Sequence, residues 1–476
     1  MSLTEVAEAG RQPEGSATGG PPPRGAWIRS LFPEPAGAGP SARSLLFGVL
    51  GFLALMGVSI SRTGGPGALN STWIEDAKRF LTGALSGQPA SEVVFTPFNG
   101  YLHVGPRLSA EVATLFGVRW AAPVLTLIAV ALITTAAVVA YTASGRFFQQ
   151  WWLRALVAVP VVMVPVGHTQ ADNDIATVQF FAFYGLFWAL LWRPRTPVGK
   201  AVVVAVALYA TTSSILPVVL LPLLLLRLWA VRDWVTRAVA VAYLFGLGLQ
   251  GYYMLTGDSS RAGVGEPRYN PLWLLKEYVD SAVPRAVLGE KWLGGPGTDI
   301  SGYPIPLTIG GAAHLVLALV AWAIVATVVV LAVRRLTNPH WPLVIAAVVC
   351  SGLFFAAAVS NMGWTQPRYV IPTALLLYVA FVALLRPVPA AAATAAPAAA
   401  SARPRLATRV PIFGLVVLLA VVCAVNLRGP NGRSTSQGWA ETARQATAAC
   451  TANPSKPWFD YKHTWWTVRI PCKRVR

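Results

Sequence analysis

The stretch "SLLFGVLGFLALMGVSIS", residues 44–61, decides the fold class of this chain, because it is apolar throughout and carries no charge. About 18 consecutive apolar residues are enough for a helix to cross a bilayer, where hydrocarbon offers backbone amides no partner outside the helix. A long polar segment rich in Pro and Gly precedes the stretch, which lacks a small-residue cleavage site. We therefore interpret it as a retained span rather than a cleaved signal peptide.

Further apolar runs follow, in a chain of 476 residues that is 55% apolar and 12% charged. Apolar residues gathered into long runs are typical of a polytopic membrane protein and predict an all-α fold with about 11 transmembrane helices. Two runs are short enough to be partly re-entrant instead. The runs lie near residues 44–61, 119–142, 154–167, 175–192, 200–212, 214–231, 238–256, 311–333, 341–359, 369–385 and 411–427.

The distribution of Lys and Arg predicts the orientation, because positive charge in short loops resists translocation. With a cytoplasmic N-terminus and an extracytoplasmic C-terminus, Arg368 is the only Lys or Arg in the short outer connections. The net charge of +19 then follows topology and anionic lipid rather than nucleic acid, which we exclude as a partner. The inner connections contain Arg146, Arg154, Arg193, Arg195, Lys200, Arg227, Arg232, Arg237, Arg334, Arg335, Arg386, Arg403, Arg405 and Arg409.

The cysteines and the low-complexity segments predict the organisation of the rest of the chain. Cys450 and Cys472 both lie in the predicted outer tail, where oxidising conditions allow them to pair. Low-complexity stretches rich in Gly, Pro or Ala lack the large apolar residues that a core needs. We expect a disordered cytoplasmic N-terminus at 1–42, a transmembrane core at 43–386 with outer loops 62–118 and 257–310, a flexible linker at 387–409, a last span at 410–427 and a disulfide-bonded tail at 428–476.

The first outer loop contains "TWIEDAKRFL", residues 72–81, with two adjacent acids beside the membrane surface. Thr72 and Glu75 fit a capping box that starts a helix, which gives Glu75 a local role. Asp76 has no such role, so it is the stronger candidate for a functional carboxylate; the alternative is helix-start electrostatics. Both acids are candidate catalytic residues. A second helix is predicted to begin at Pro106.

The stretch "GHTQADNDIATVQFF", residues 167–181, places His168, Asp172 and Asp174 in a short outer loop. Ionisable groups so close to hydrocarbon are costly unless they meet water, a cation or a partner. Asp172 or Asn173 can simply cap the following helix. The other interpretation is a substrate site or a divalent-cation site on Asp172 and Asp174, although hard cations need more oxygen ligands than two side chains supply.

Two further motifs carry candidate substrate-binding residues. "NGYLHVGPRL" contributes His103 and Arg107, and "WTQPRYVIP" contributes Arg368 and Tyr369 at the mouth of a late span. A guanidinium at this position can hold a phosphate through two hydrogen bonds. It can also simply snorkel beside an interfacial tyrosine.

With these motifs the chain resembles the GT-C fold membrane glycosyltransferases, and its Ala/Arg/Pro-rich composition suggests an actinobacterial member. Members have an acid on a juxtamembrane helix after the first span, which corresponds to Asp76 or Glu75, and "PRYVIP" is similar to the Arg-Tyr pair that opens a late span. "FNGYLHVGPRL" stands where members have a His-Pro-Pro-like connector. The resemblance covers most of the chain as architecture.

The resemblance implies an inverting transfer of a hexose or pentose from a polyprenyl-phosphate sugar to an extracytoplasmic glycan or lipid. Asp76 would be the base, and Arg368, helped by Arg107 or His103, would hold the phosphate. Asp172 and Asp174 would orient the acceptor or hold a divalent cation. Two alternatives stay open: a transporter or flippase of a lipid-linked sugar, which would place acids at mid-depth, and a non-enzymatic envelope protein that presents its basic aromatic tail.

Overall fold

The computed structural model describes residues 25–34, 41–256, 266–293, 312–387, 410–429, 431–462 and 466–475. Within these ranges the chain is helical except for one two-stranded antiparallel sheet in the tail. The all-α prediction is therefore confirmed.

Eleven apolar helices lie on the eleven predicted runs, within the described ranges. Six are long and apolar enough to cross a membrane and five are shorter, so the chain is an integral membrane protein, while the number of crossings stays a prediction. In chain order they are α1 (Ala42–Ile60), α2 (Val118–Arg146), α3 (Trp151–Val162), α4 (Val178–Leu191), α5 (Pro197–Ser213), α6 (Leu216–Ala230), α7 (Trp234–Thr256), α8 (Ala312–Val333), α9 (Trp341–Met362), α10 (Pro367–Leu384) and α11 (Val410–Val425).

The centre of the bundle is formed by α4 and α10. Every residue of α4 is buried, and so is every residue of Val370–Leu384 in α10. In contrast, Ser59 is the only buried residue of α1. All three helices are apolar on every side, so their composition does not distinguish a helix that faces lipid from one that is enclosed by protein.

The first outer loop folds into short helices at the end of the bundle where α2 and α4 begin. After two α-helical residues, Ile74 and Glu75, the chain forms a π-helix, Asp76–Leu81, and the predicted second helix is observed as Val104–Thr114. The predicted capping box is wrong: the helix has no side-chain cap among the described residues, and Glu75 instead pairs with Arg368. A π-helical turn widens the helix, and such turns are frequent at functional sites.

The C-terminal tail docks on this loop. It contains the helix Trp439–Ala452 and two paired strands, β1 (Trp458–Lys462) and β2 (Thr467–Pro471). The predicted disulfide between Cys450 and Cys472 is confirmed, with the two Cα atoms 5.3 Å apart. Apolar side chains of the tail, the first loop and the start of α2 form one buried cluster that contains Ala77, Leu81, Leu85, Val118, Ala121, Ala122, Trp439, Ala443, Ala446, Tyr461, Trp466, Val468 and Ile470.

Part of the predicted N-terminal disordered segment is described by the structure. Ala26–Arg29 forms a short helix, Leu31 and Phe32 are buried, and the Arg29 guanidinium lies 5.5 Å from the centre of the Trp229 ring. Residues 1–24 and 35–40 lie outside the described residues, as do 257–265 and 294–311 of the second long loop and 388–409 of the predicted linker.

Candidate functional site

A cavity lies where the first outer loop meets the ends of α4, α9 and α10. Its two charged residues, Glu75 and Arg368, form an ion pair with 3.4 Å between Oε1 and Nη1. Both side chains are largely buried, 21% and 17% exposed respectively. The cavity encloses about 70 Å³, and it is lined by Glu75, Phe80, Phe98, Asn99, Tyr101, His103, Ala176, Gln179, Phe180, Ile215, Leu216, Ala358, Asn361, Met362, Arg368 and Tyr369.

Local backbone geometry brings Arg368 to this cavity. Helix α9 ends at Gly363, whose φ of 76° is the left-handed conformation that commonly terminates a helix. A Cβ at this position would lie 2.0 Å from the Glu266 carbonyl oxygen, so only glycine fits. Helix α10 then begins with a 3₁₀ turn, Pro367–Tyr369, in which Tyr369 is buried beneath the arginine.

The carboxylate of Glu75 is only half satisfied. Its Oε1 faces Arg368, whereas Oε2 is buried and has no hydrogen-bond partner within the described part of the chain. A buried acceptor without a donor is costly, and such groups in folded proteins call for an explanation. An incoming hydroxyl group would satisfy this oxygen.

Aromatic and polar side chains form one wall of the cavity. The rings of Tyr101 and His103 are stacked with centroids 4.2 Å apart, and the Tyr101 hydroxyl lies 3.4 Å from Gln179 Oε1. Burial and the positive charge of the nearby Arg107 together lower the pKa of His103 to about 3, so the imidazole is neutral. Arg107 itself is buried against the Phe80 ring and does not line the cavity. Arg368 is therefore the cation that a phosphate would meet here.

Asp76 lies behind the cavity and faces the start of α4. Its two carboxylate oxygens accept hydrogen bonds from the backbone N–H groups of Ile175 and Ala176, each at 3.0 Å. Asp174 likewise accepts a hydrogen bond from the Thr177 N–H, at 2.9 Å. Asp76 thus holds the second outer loop, the short segment 163–177 between α3 and α4, against the helix that carries Glu75.

His168 and Asp172 belong to a separate buried cluster around Arg62. Arg62 Nη2 is 3.1 Å from Asp172 Oδ1, and His168 Nδ1 is 3.2 Å from Asp172 Oδ2. Asp172 and Asp174 therefore face different partners rather than one cation. Throughout the described ranges, no three His, Cys, Asp or Glu side chains come together as a metal site.

Arg433 connects the tail to the first and second outer loops, and sequence reasoning missed it. The side chain is 1% exposed and donates to the carbonyls of Asp172 (3.0 Å), Asn173 (2.6 Å) and Ser71 (2.7 Å). Its positive charge also acts on the buried Asp76 and Asp174 carboxyls. The surrounding "NGRSTSQGW" has no periodicity or motif that marks this arginine.

Asp174→Asn is expected to make stability less dependent on pH. Burial raises the pKa of Asp174 to about 7, above its ordinary value of 3.8, so the unfolded chain releases this proton first. The folded protein therefore loses stability as pH rises from about 4 to about 7, and asparagine keeps the acceptor for Thr177 without the titration. Melting temperatures of both proteins at about pH 5 and about pH 8 measure the effect. The prediction would be contradicted if the melting temperature of Asp174→Asn changed between the two pH values by as much as that of the wild type.

Comparisons with known proteins found little similarity. No family model and no curated protein matches the chain. One solved structure does, a crystal structure of ArnT from Cupriavidus metallidurans bound to undecaprenyl phosphate, with a TM-score of 0.38 and 14% identity. The match covers 82% of this chain and 76% of that one. A similarity this low assigns no function to the chain.

Proposed function

We propose that this chain is an integral membrane glycosyltransferase that transfers a sugar from a polyprenyl phosphate to a hydroxyl of a glycan or lipid acceptor. The observation that carries the proposal is the ion pair of Glu75 and Arg368 in one cavity, although 293 residues separate the two in the chain. The motif-level resemblance to the GT-C glycosyltransferases supports the same reaction class. The predicted orientation places the reaction outside the cytoplasm.

Glu75 is the general base in this proposal. The acceptor hydroxyl places its proton against Glu75 Oε2, and its oxygen attacks the anomeric carbon as the bond from that carbon to the phosphate oxygen breaks. Glu75 takes the proton, and configuration at the anomeric carbon inverts. The Asp76 oxygens already accept two backbone N–H groups, so Asp76 is a positioning residue.

Arg368 stabilises the leaving polyprenyl phosphate. Phosphate develops negative charge as the glycosidic bond breaks, and a preorganised guanidinium in a partly buried site offsets that charge. Without substrate, Glu75 keeps the arginine oriented toward the cavity. The donor phosphate then competes with Glu75 for the guanidinium, which leaves the carboxylate to the acceptor.

The position of the acids favours transfer over transport. In the sequence, none of the eleven apolar helices contains Asp or Glu, and the four acids predicted as site residues, Glu75, Asp76, Asp172 and Asp174, lie in loops at one end of the bundle. Ion-coupled transporters place ionisable groups at mid-depth. The envelope-protein alternative predicts that deleting the tail removes function. Because the tail packs on the first outer loop, its deletion would disturb that loop in a transferase as well, so this experiment does not separate the two proposals.

Binding of a synthetic polyprenyl phosphate, the leaving product, tests the proposal without knowledge of the sugar. Arg368→Gln is expected to weaken this binding about tenfold or more, because a charge-assisted contact to phosphate is lost. Arg119→Gln is the control, since Arg119 is exposed at the start of α2 and does not line the cavity. The readout is the lipid-dependent shift of tryptophan fluorescence in purified protein. Equal affinities for both variants and the wild type would overturn the assignment of Arg368.

A further inference from the structure

A second cavity, of about 590 Å³, lies at the opposite end of the bundle. Helix α4 begins next to Asp174, and Trp192, directly after its end, lines this second cavity. Helix α5 runs the other way: Val198 near its start lines the cavity, whereas Ser213 at its end accepts a hydrogen bond from the Gly105 N–H of the first outer loop. The two helices therefore separate this cavity from the Glu75 site.

Four arginines surround the mouth of this cavity: Arg146, Arg154, Arg193 and Arg195. Arg146 is the last residue of α2 and Arg154 lies in the first turn of α3, whereas Arg193 and Arg195 lie in the α4–α5 connection. The Arg154 guanidinium is held in place by the Phe148 and Gln149 carbonyls, each at 2.9 Å. The concentrated positive charge favours an anionic occupant.

Arg193 has a hydrogen-bond donor that no described residue satisfies. Its Nε is buried and lacks a hydrogen-bond partner within the described ranges. Its Nη1 is 3.8 Å from Glu34, whose side chain is 86% exposed, and an ion pair of that length and exposure contributes little. The nearby N-terminus of α5, capped by Thr196, adds further positive potential. A phosphate group would satisfy the free donor.

The rest of the cavity wall is mostly apolar, with Thr135, Thr142 and Thr196 as its uncharged polar side chains. Phe52 of α1, Val138 of α2 and Val202 of α5 line it, and along α2 it extends from Arg146 back to Thr135. Eleven residues of helix correspond to about 16 Å, a length that accommodates much of an acyl chain. A charged mouth with an apolar groove matches a phospholipid better than a soluble anion.

We propose that this cavity binds an anionic phospholipid, with the phosphate at Arg146 and Arg193 and an acyl chain along Phe52 and Val138. The predicted topology places this end at the cytoplasmic leaflet, which carries anionic lipid, and basic pockets between transmembrane helices on that side suit such headgroups. The site is independent of the proposed transferase chemistry.

Native mass spectrometry of the purified full-length protein, titrated with phosphatidylglycerol or phosphatidylcholine, tests this site. The wild type is expected to prefer phosphatidylglycerol, and the double variant R146Q/R193Q is expected to bind it about tenfold more weakly. The control R232Q/R334Q removes two exposed arginines outside the cavity and is expected to bind like the wild type. Equal loss in both double variants, or no preference in the wild type, would overturn the proposal.

Two further measurements cover the remaining outcomes. Glycerol phosphate alone should not raise the melting temperature, because it lacks the acyl chain; stabilisation equal to that by phosphatidylglycerol would overturn the lipid assignment. If R146Q/R193Q does not fold, R146K/R193K replaces it. Lysine keeps the charge but not the bidentate geometry, so R146K/R193K is expected to bind phosphatidylglycerol with an affinity between those of the wild type and R146Q/R193Q. If R146K/R193K bound both lipids as tightly as the wild type does, the result would count against the site.

Discussion

Glu75→Gln is expected to lower the rate of sugar transfer by about a thousandfold, within the range that general-base catalysis contributes. Glutamine cannot accept the acceptor proton, yet its amide oxygen can still receive the hydrogen bond from Arg368 Nη1 that the structure shows for Glu75. The fold should therefore be retained, with an unchanged melting temperature. The loss should appear in kcat rather than in donor binding.

The measurement uses purified protein with a membrane extract as the source of donor and acceptor, and the product is identified by mass spectrometry. Glu92→Gln is the matched control, because Glu92 is exposed in the same outer segment and does not line the cavity. Full activity of Glu75→Gln would remove this residue as the base.

Asp76→Asn separates the two adjacent acids. Asp76 accepts hydrogen bonds from the backbone N–H groups of Ile175 and Ala176. In the asparagine variant the amide nitrogen replaces one of the two acceptor oxygens, so one of these N–H groups loses its partner. Leaving a buried donor unpaired costs about 1–3 kcal/mol, so the melting temperature should fall. If instead Asp76→Asn lost kcat at unchanged stability while Glu75→Gln stayed active, the roles of the two acids would be exchanged.

Arg433→Met is expected to have the largest effect on stability, about 3–5 kcal/mol, the typical loss when one partner of a buried charge network is removed. The buried guanidinium donates to backbone carbonyls of both outer loops and lies near Asp76 and Asp174. Methionine fills similar volume but leaves these acceptors unsatisfied. The tail should then separate from the first loop.

Melting temperature in detergent and protease resistance of the tail measure this loss. Arg428→Gln is the control, since Arg428 is exposed in the same segment and donates only to the Ser61 carbonyl among the described residues, at 2.9 Å. An exposed hydrogen bond contributes about 1 kcal/mol or less. Arg433→Lys keeps a charge with fewer donors, so its loss should be intermediate. Equal melting temperatures for the Arg433 and Arg428 variants would show that Arg433 does not hold the outer loops together.

The placement of the two adjacent acids shows where sequence reasoning stops. Successive residues on a helix point about 100° apart, so Glu75 and Asp76 point in different directions and meet different partners. Local pattern assigned Glu75 to a capping box, but the capping box does not form and Glu75 lines the cavity. The choice depends on Arg368 and on the Ile175 and Ala176 amides, which are distant in the chain.

By itself, the sequence determined the eleven apolar helices, the second loop helix and the disulfide, because each follows from local composition, helical spacing or the pairing of two outer cysteines. Only the tertiary structure decided that α4 and α10 are central, that the tail docks on the first loop through Arg433, and that Glu75 meets Arg368. Apolar helices look alike whether they face lipid or protein. A contact between distant residues leaves no periodic trace in either segment, so it appears only when packing brings them together.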